Sequence, residues 1–208
     1  MALVSSVKTP PKREVARRSR EEVRERIVAA ATELIRERSY AELNVDEVMR
    51  VAGLGRTIFY RHFDDLGDLM LRVNRPAITE LYETQPRLED IAPGDEESAV
   101  RLAVEAAVAV YRRHGPLLRA MAEAAASDEE LARDQAAIRK GFREQAASYL
   151  RMSQSRGAQP LADVDETAYA LTVMSEAYML DAFGGEPRVS TEVAVQTLSA
   201  IWMALVRS

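Results

Sequence analysis

The chain has no cysteine, two histidines, one tryptophan and no run of about 18 apolar residues. Each shortage excludes something. Without cysteine there is no disulfide, no thiolate nucleophile and no Cys-ligated zinc or iron–sulfur site. The di-metal helical bundles use Glu-x-x-His, and neither His62 nor His114 has a Glu three residues before it. An enzyme, a metal centre and a cofactor are therefore not expected. The lack of a long apolar run leaves nothing to span a bilayer, and the basic N-terminus has no apolar stretch of the kind a secretory signal needs. A cytoplasmic protein with no membrane partner is the expectation. Glycine (nine) and proline (eight) are scarce among 208 residues, while Ala, Glu, Arg and Leu abound, which favours helices. No strand-like alternation stands out.

The formal net charge of −5 is unevenly spread. Residues 1–64 hold 13 Lys and Arg against 10 Asp and Glu, whereas residues 65–208 hold 15 against 23. Within the first 20 residues the count is six against one. The basic end suits a polyanion, and the acidic remainder is screened beyond a Debye length of about 8 Å.

Residues 1–19, with adjacent prolines and no periodic apolar face, read as a flexible basic arm. From Arg20 to Arg38, Val23, Ile27, Ala30, Ala31, Leu34 and Ile35 recur at helical spacing. Asn44 stands three residues before Glu47 in a capping-box arrangement. Val45, Val48, Val51 and Ala52 give a short second helix its buried face, and Gly53 suits the left-handed position that ends it. After Gly55 a third short helix runs to about His62, and a fourth opens near Asp64 or Asp65. Longer helices follow at about 66–82, 96–114, 116–126, 128–155, 163–183 and 190–207. Asp163 or Asp165 and Ser190 are candidate caps.

Two short helices joined by a glycine-containing turn make the plan of a helix-turn-helix, whose second helix enters the major groove. The helical period turns Ile58, Phe59 and Phe63 inward and Arg56, Thr57, Tyr60 and Arg61 outward. An arginine can pair with guanine through two hydrogen bonds, and Thr and Tyr hydroxyls can reach phosphates. The same spacing also fits a helical hairpin whose polar side chains are merely solvated. The blocks "RERIVAAATELIRERSY", "AELNVDEVMRVAGL" and "GRTIFYRHFDDLGDLM" settle the choice, because residues 20–70 resemble the DNA-binding domain of the TetR family of transcriptional regulators. The resemblance implies DNA contacts from Asn44, Val45 and Asp46, and from Gly55, Arg56, Thr57, Tyr60, Arg61 and His62. It also shows departures. Gly55 stands where Ser is common, Ile58 where Thr is common, and Leu66 where the family usually carries a phosphate-binding Lys.

The resemblance implies an all-α protein of two domains. Residues 20–65 form a three-helix DNA-binding head, and residues 66–208 form a larger helical domain for an effector and for dimerisation. From about Leu102 the chain is similar to TetR-type regulators of the ethionamide-resistance kind, on "SEAYMLDAFGGEP" and "AIWMALV". Those regulators enclose an apolar channel with polar side chains at positions matching Thr172 and Ser175 and a Trp matching Trp202. Pattern alone adds Tyr111, Met121, Phe142 and Met179 as lining candidates, although core packing explains such residues equally well. Glu176, amid apolar neighbours, needs a partner that a ligand or another helix could supply. Stripes of Ala168, Leu171, Ser175, Met179 and Ala182, and of Ala194, Leu198, Ile201 and Leu205, mark the last two helices as a dimer surface, or as faces of the same subunit's core. The reading is a dimeric, ligand-responsive regulator, expected to act as a repressor. It would sit on a palindromic double-stranded operator until a small hydrophobic effector binds. The alternative is a ligand-binding helical dimer with weak or lost specific DNA binding.

Overall fold

A computed structural model describes residues 12–87 and 90–206. Among these residues there are eight α-helices and no strand. Helix α1 spans Lys12–Glu37, beginning eight residues ahead of the expected start at Arg20. The segment KREVARRS lacks an apolar stripe, but its Lys, Arg, Glu and Ala are good helix formers. Absence of an apolar stripe in the sequence does not forbid a helix that continues one already nucleated. Residues 1–11 of the expected arm lie outside the described residues.

A short 3₁₀ turn, Tyr40–Glu42, leads to α2 at Val45–Ala52. The Asn44 side chain accepts from the Glu47 amide at 2.9 Å. The reciprocal half of the capping box is not made, because the Glu47 carboxylate turns to Arg38 at 2.6 Å and Arg50 at 3.7 Å. Gly53 closes the helix at φ 65°, where a side chain would be strained. Arg26 donates to the Ala52 carbonyl at 2.7 Å, covering one of the last unpaired acceptors. Asn44→Ala is expected to lower stability by about 1 kcal/mol. A thermal melt indistinguishable from that of the unaltered protein would show that solvent replaces the cap without loss.

Helix α3 covers only Arg56–Phe59 and ends before His62, because the backbone tightens there. The Arg61 amide donates to the Ile58 carbonyl at 3.2 Å and that of His62 to Phe59 at 2.8 Å. Helix α4, Leu66–Glu83, is capped by Asp65, which accepts from the Asp68 amide. Helix α5 runs unbroken through Glu96–Ala125, where the sequence suggests two helices parted at Gly115-Pro116. Pro116 removes one helical donor without ending the helix. Gly115 has a separate purpose: a Cβ there would lie 1.9 Å from the carbonyl oxygen of Phe183. The pair therefore marks a close helix crossing rather than a loop. Helices α6 (Glu129–Ser155), α7 (Val164–Phe183) and α8 (Thr191–Val206) complete the chain. Asp163, not Asp165, caps α7, and Asp165 pairs with Arg151 at 2.5 Å.

Helix α5 is the axis of the fold and packs against α1, α4, α6, α7 and α8. Two apolar cores form around it. One gathers Ile27, Leu34, Val48, Phe59 and Phe63 with Leu69, Met70 and Val73 of α4 and Leu117, Met121 and Ala124 of α5. The other gathers Ala77 and Leu81 of α4 with inward faces of α5, α6, α7 and α8. Helix α4 thus has its first half in one core and its second half in the other.

Candidate nucleic-acid interface and ligand cavity

Phe59 and Phe63 are almost wholly buried, with ring centres 5.5 Å apart, and they fix α3 against α1 and α2. That anchoring leaves Gly55, Arg56, Thr57, Tyr60 and Arg61 exposed on one surface, together with Asn44 and Asp46 from the start of α2. Val45 is partly buried against the core beneath. Arg56 donates to the Asp46 carboxylate at 2.5 Å and to the Tyr60 hydroxyl at 3.1 Å, and lies 5.8 Å over the Tyr60 ring. A carboxylate facing a phosphate backbone would be repelled, and here the Asp46 carboxylate is paired with the Arg56 guanidinium.

His62 is turned partly inward, and its carbonyl accepts from Arg24 at 3.2 Å. Burial first, then the Arg20 and Arg24 guanidinium groups, push its imidazole below the ordinary value, so it is neutral at pH 7. Two of the arginines around it, Arg20 and Arg24, are what sequence reading missed. Arg20 and Arg24 of α1 and Arg61 after α3 converge on this edge, a meeting of residues about 40 positions apart that no local pattern announces. The three departures from the family pattern also find places. Ile58 and Leu66 pack against the head's core, and Gly55 stands in open space.

In the second half, α4 to α8 and the segment after α4 enclose a cavity of about 770 Å³, within the size range of small-molecule sites. Tyr111, Met121, Phe142, Thr172, Ser175, Glu176, Met179 and Trp202 all reach its wall. Thr172 donates to the Ala168 carbonyl at 2.8 Å. Trp202 donates to the Ser175 hydroxyl at 3.1 Å, which leaves the Ser175 proton free to point elsewhere. Glu176 does not wait for a ligand, because Arg139 donates to it twice, at 2.7 and 2.9 Å. Phe142 stacks on Tyr82 of α4 with ring centres 4.3 Å apart.

The stripes read from sequence as a dimer surface, or as faces of the same subunit's core, are turned mostly inward. Ala168, Leu171, Met179, Ala182, Ala194 and Leu198 are buried in the chain's own core, and Ser175 and Leu205 are partly buried. Of that set only Ile201 is exposed. The outward apolar positions are instead Ala170, Val173 and Ala177 on α7 and Val193, Ala200, Ile201 and Ala204 on α8.

Comparison with known proteins bears on both halves. Residues 27–73 match the model of bacterial regulatory proteins of the tetR family, and residues 100–207 match that of the C-terminal domain of transcriptional regulator EthR. The HTH-type transcriptional regulator EthR of Mycolicibacterium smegmatis is 28% identical over 205 residues, covering 98% of this chain and 94% of that protein. Two solved structures share the fold. The TetR family transcriptional regulator PfmR from Thermus thermophilus has a TM-score of 0.70 at 21% identity, over 87% of this chain and 99% of its own. AibR, solved in complex with isovaleryl coenzyme A and operator DNA, has a TM-score of 0.68 at 16% identity, over 89% and 100%. Among the described residues no helix is long and apolar enough to cross a membrane. With a helix-turn-helix head in front of an EthR-type domain that occupies half its length, the chain belongs to the TetR family of ligand-responsive, DNA-binding transcriptional regulators.

Proposed function

We propose that the protein is a homodimeric repressor that holds a palindromic operator through its two α3 helices and lets go when a small hydrophobic effector enters the cavity. One observation carries this reading: α4 lends Ile78 and Leu81 to the cavity wall while its other half is built into the head's core. An occupant pressing on that wall acts on a helix that cannot move without moving the head. The Tyr82–Phe142 stack gives the pressure a second point of contact. AibR, of the same fold, was solved with an acyl thioester and operator DNA together, which supports one body serving both ligands. The dimer surface is the outward stripe of α7 and α8 named above, where two helices from each protomer can pack as a four-helix bundle about a two-fold axis.

The first test is selection from a random double-stranded DNA pool. Enrichment of a palindrome with half-sites spaced by about a helical turn or more is the expected result. Bound effector should then weaken operator affinity by about 5- to 150-fold, the usual range of such coupling. Retention without any preferred sequence would favour the other reading, a ligand-binding dimer without specific DNA recognition. Gly55 and the packed Ile58 and Leu66 would then be true losses of phosphate contacts.

A further inference from the structure

The cavity's charge is lopsided. Three cations line it, Arg139, Lys140 and Arg143 on α6, against one carboxylate, Glu176. Glu176 is already committed to Arg139 by two hydrogen bonds, and Lys140 reaches Glu144 at a loose 3.7 Å. Arg143 is partly buried, with its guanidinium carbon 5.8 Å from the centre of the Tyr169 ring. Among the described residues no carboxylate pairs with it. A cation drawn partly out of water without an anion is a standing cost that a ligand's negative charge would relieve. These cations sit at the rim between α6 and α7, where Arg139, Lys140 and Tyr169 are exposed. Away from the rim the wall is apolar, with Leu81, Val104, Leu118, Met121 and Leu198 buried around it. Polar groups interrupt it, among them the buried Tyr111 hydroxyl, for which no hydrogen-bond partner exists among the described residues. Burial and then the Glu176 carboxylate push that phenol above its ordinary value, so it keeps its proton.

We propose that the effector is an amphiphile, an alkyl chain seated in the apolar interior and ending in one acidic group, carboxylate or phosphate, which Arg143 binds at the α6–α7 rim with Lys140 beside it. This rests on the cavity being the effector site, and the test separates the two claims. Trp202 is the single tryptophan of the chain and lies on the cavity wall, so its fluorescence reports occupancy. The full-length protein is titrated with dodecanoate, dodecyl phosphate, dodecanol and dodecylamine, which share one chain and differ in the head. The two acids should bind on the order of tenfold more tightly than the alcohol, as a hydrogen bond to a charged group implies, and the amine should bind less tightly than the alcohol. The ranking of the two acids tells a free carboxylic acid from a phosphate-bearing ligand. Arg143→Gln should bring the acids to the alcohol's level, and Arg143→Lys should keep most of the preference.

Equal binding of acid and alcohol, a preference for the amine, or an Arg143→Gln variant that weakens every ligand alike would overturn the acidic head while leaving the cavity as the effector site. No response of Trp202 to any of the four would refute the cavity reading itself.

Discussion

Phe59→Ala is expected to cost about 3–5 kcal/mol, the usual range for emptying a fully buried phenylalanine site. For a chain of this length that corresponds to a thermal midpoint lower by roughly 6–20 °C. The side chain has no exposed surface and is among the largest fully buried groups of the molecule. Its ring meets Phe63 at 5.5 Å and Tyr60 edge-on at 5.3 Å. Helix α3 has four residues, too few to hold itself together, since an isolated helix of fewer than about 12 residues is marginal in water. Its shape is therefore borrowed from this anchor, and operator binding should vanish along with the stability. Circular dichroism melting checks the first effect and a DNA-binding titration the second. A midpoint lowered by less than about 2 °C would mean that the head's core closes over the gap and that Phe59 is not its anchor.

Arg56→Ala should weaken binding to the selected operator by roughly 30-fold or more. A guanidinium reading one guanine contributes about 1–3 kcal/mol of discrimination, and a dimer presents it twice. The signature matters more than the size. Preference at one base pair in each half-site should flatten, while the dependence on salt changes little, because the lost contact is to a base edge. Asp46→Ala should show a milder version of the same flattening, since it removes the 2.5 Å contact that aims the guanidinium and leaves the Tyr60 contact at 3.1 Å. If Arg56→Ala instead weakens all sequences alike and reduces the salt slope by about one, Arg56 is a phosphate ligand and another side chain reads the base.

Much of this is legible in the sequence, for physical reasons that also explain the failures. Helix ends announce themselves through atoms close in the chain, so Asn44, Asp163, Ser190 and Gly53 can be named from sequence. The aromatic and polar residues found together on the cavity wall stand out because they interrupt apolar helices. The inward and outward faces of α7 cannot be told apart in that way. Its sequence is apolar nearly all round, with Ala168, Leu171 and Met179 inside and Val173 and Ala177 outside. Periodicity finds a stripe without saying what covers it. The cations of α6 escape notice because charges on a long helix usually face water. Only the third dimension shows a cavity opening beside them. The long α5 reads as two helices because Gly-Pro is a strong local stop signal, here overridden by packing along both sides of that helix.

The head's core is assembled from two stretches far apart in the chain, residues 27–73 and 117–131, and the Tyr40 amide also reaches across to Glu123 at 3.2 Å. An exchange of heads between regulators by a single crossover after residue 65 would set Leu34, Val48 and Phe59 against a foreign Leu69, Met70, Leu117 and Met121. The recombinant would inherit half of two interiors. Packing therefore ties the head to the domain behind it, and a change of operator preference is best made by point substitution on the exposed surface of α3, where a side chain can change without disturbing either core.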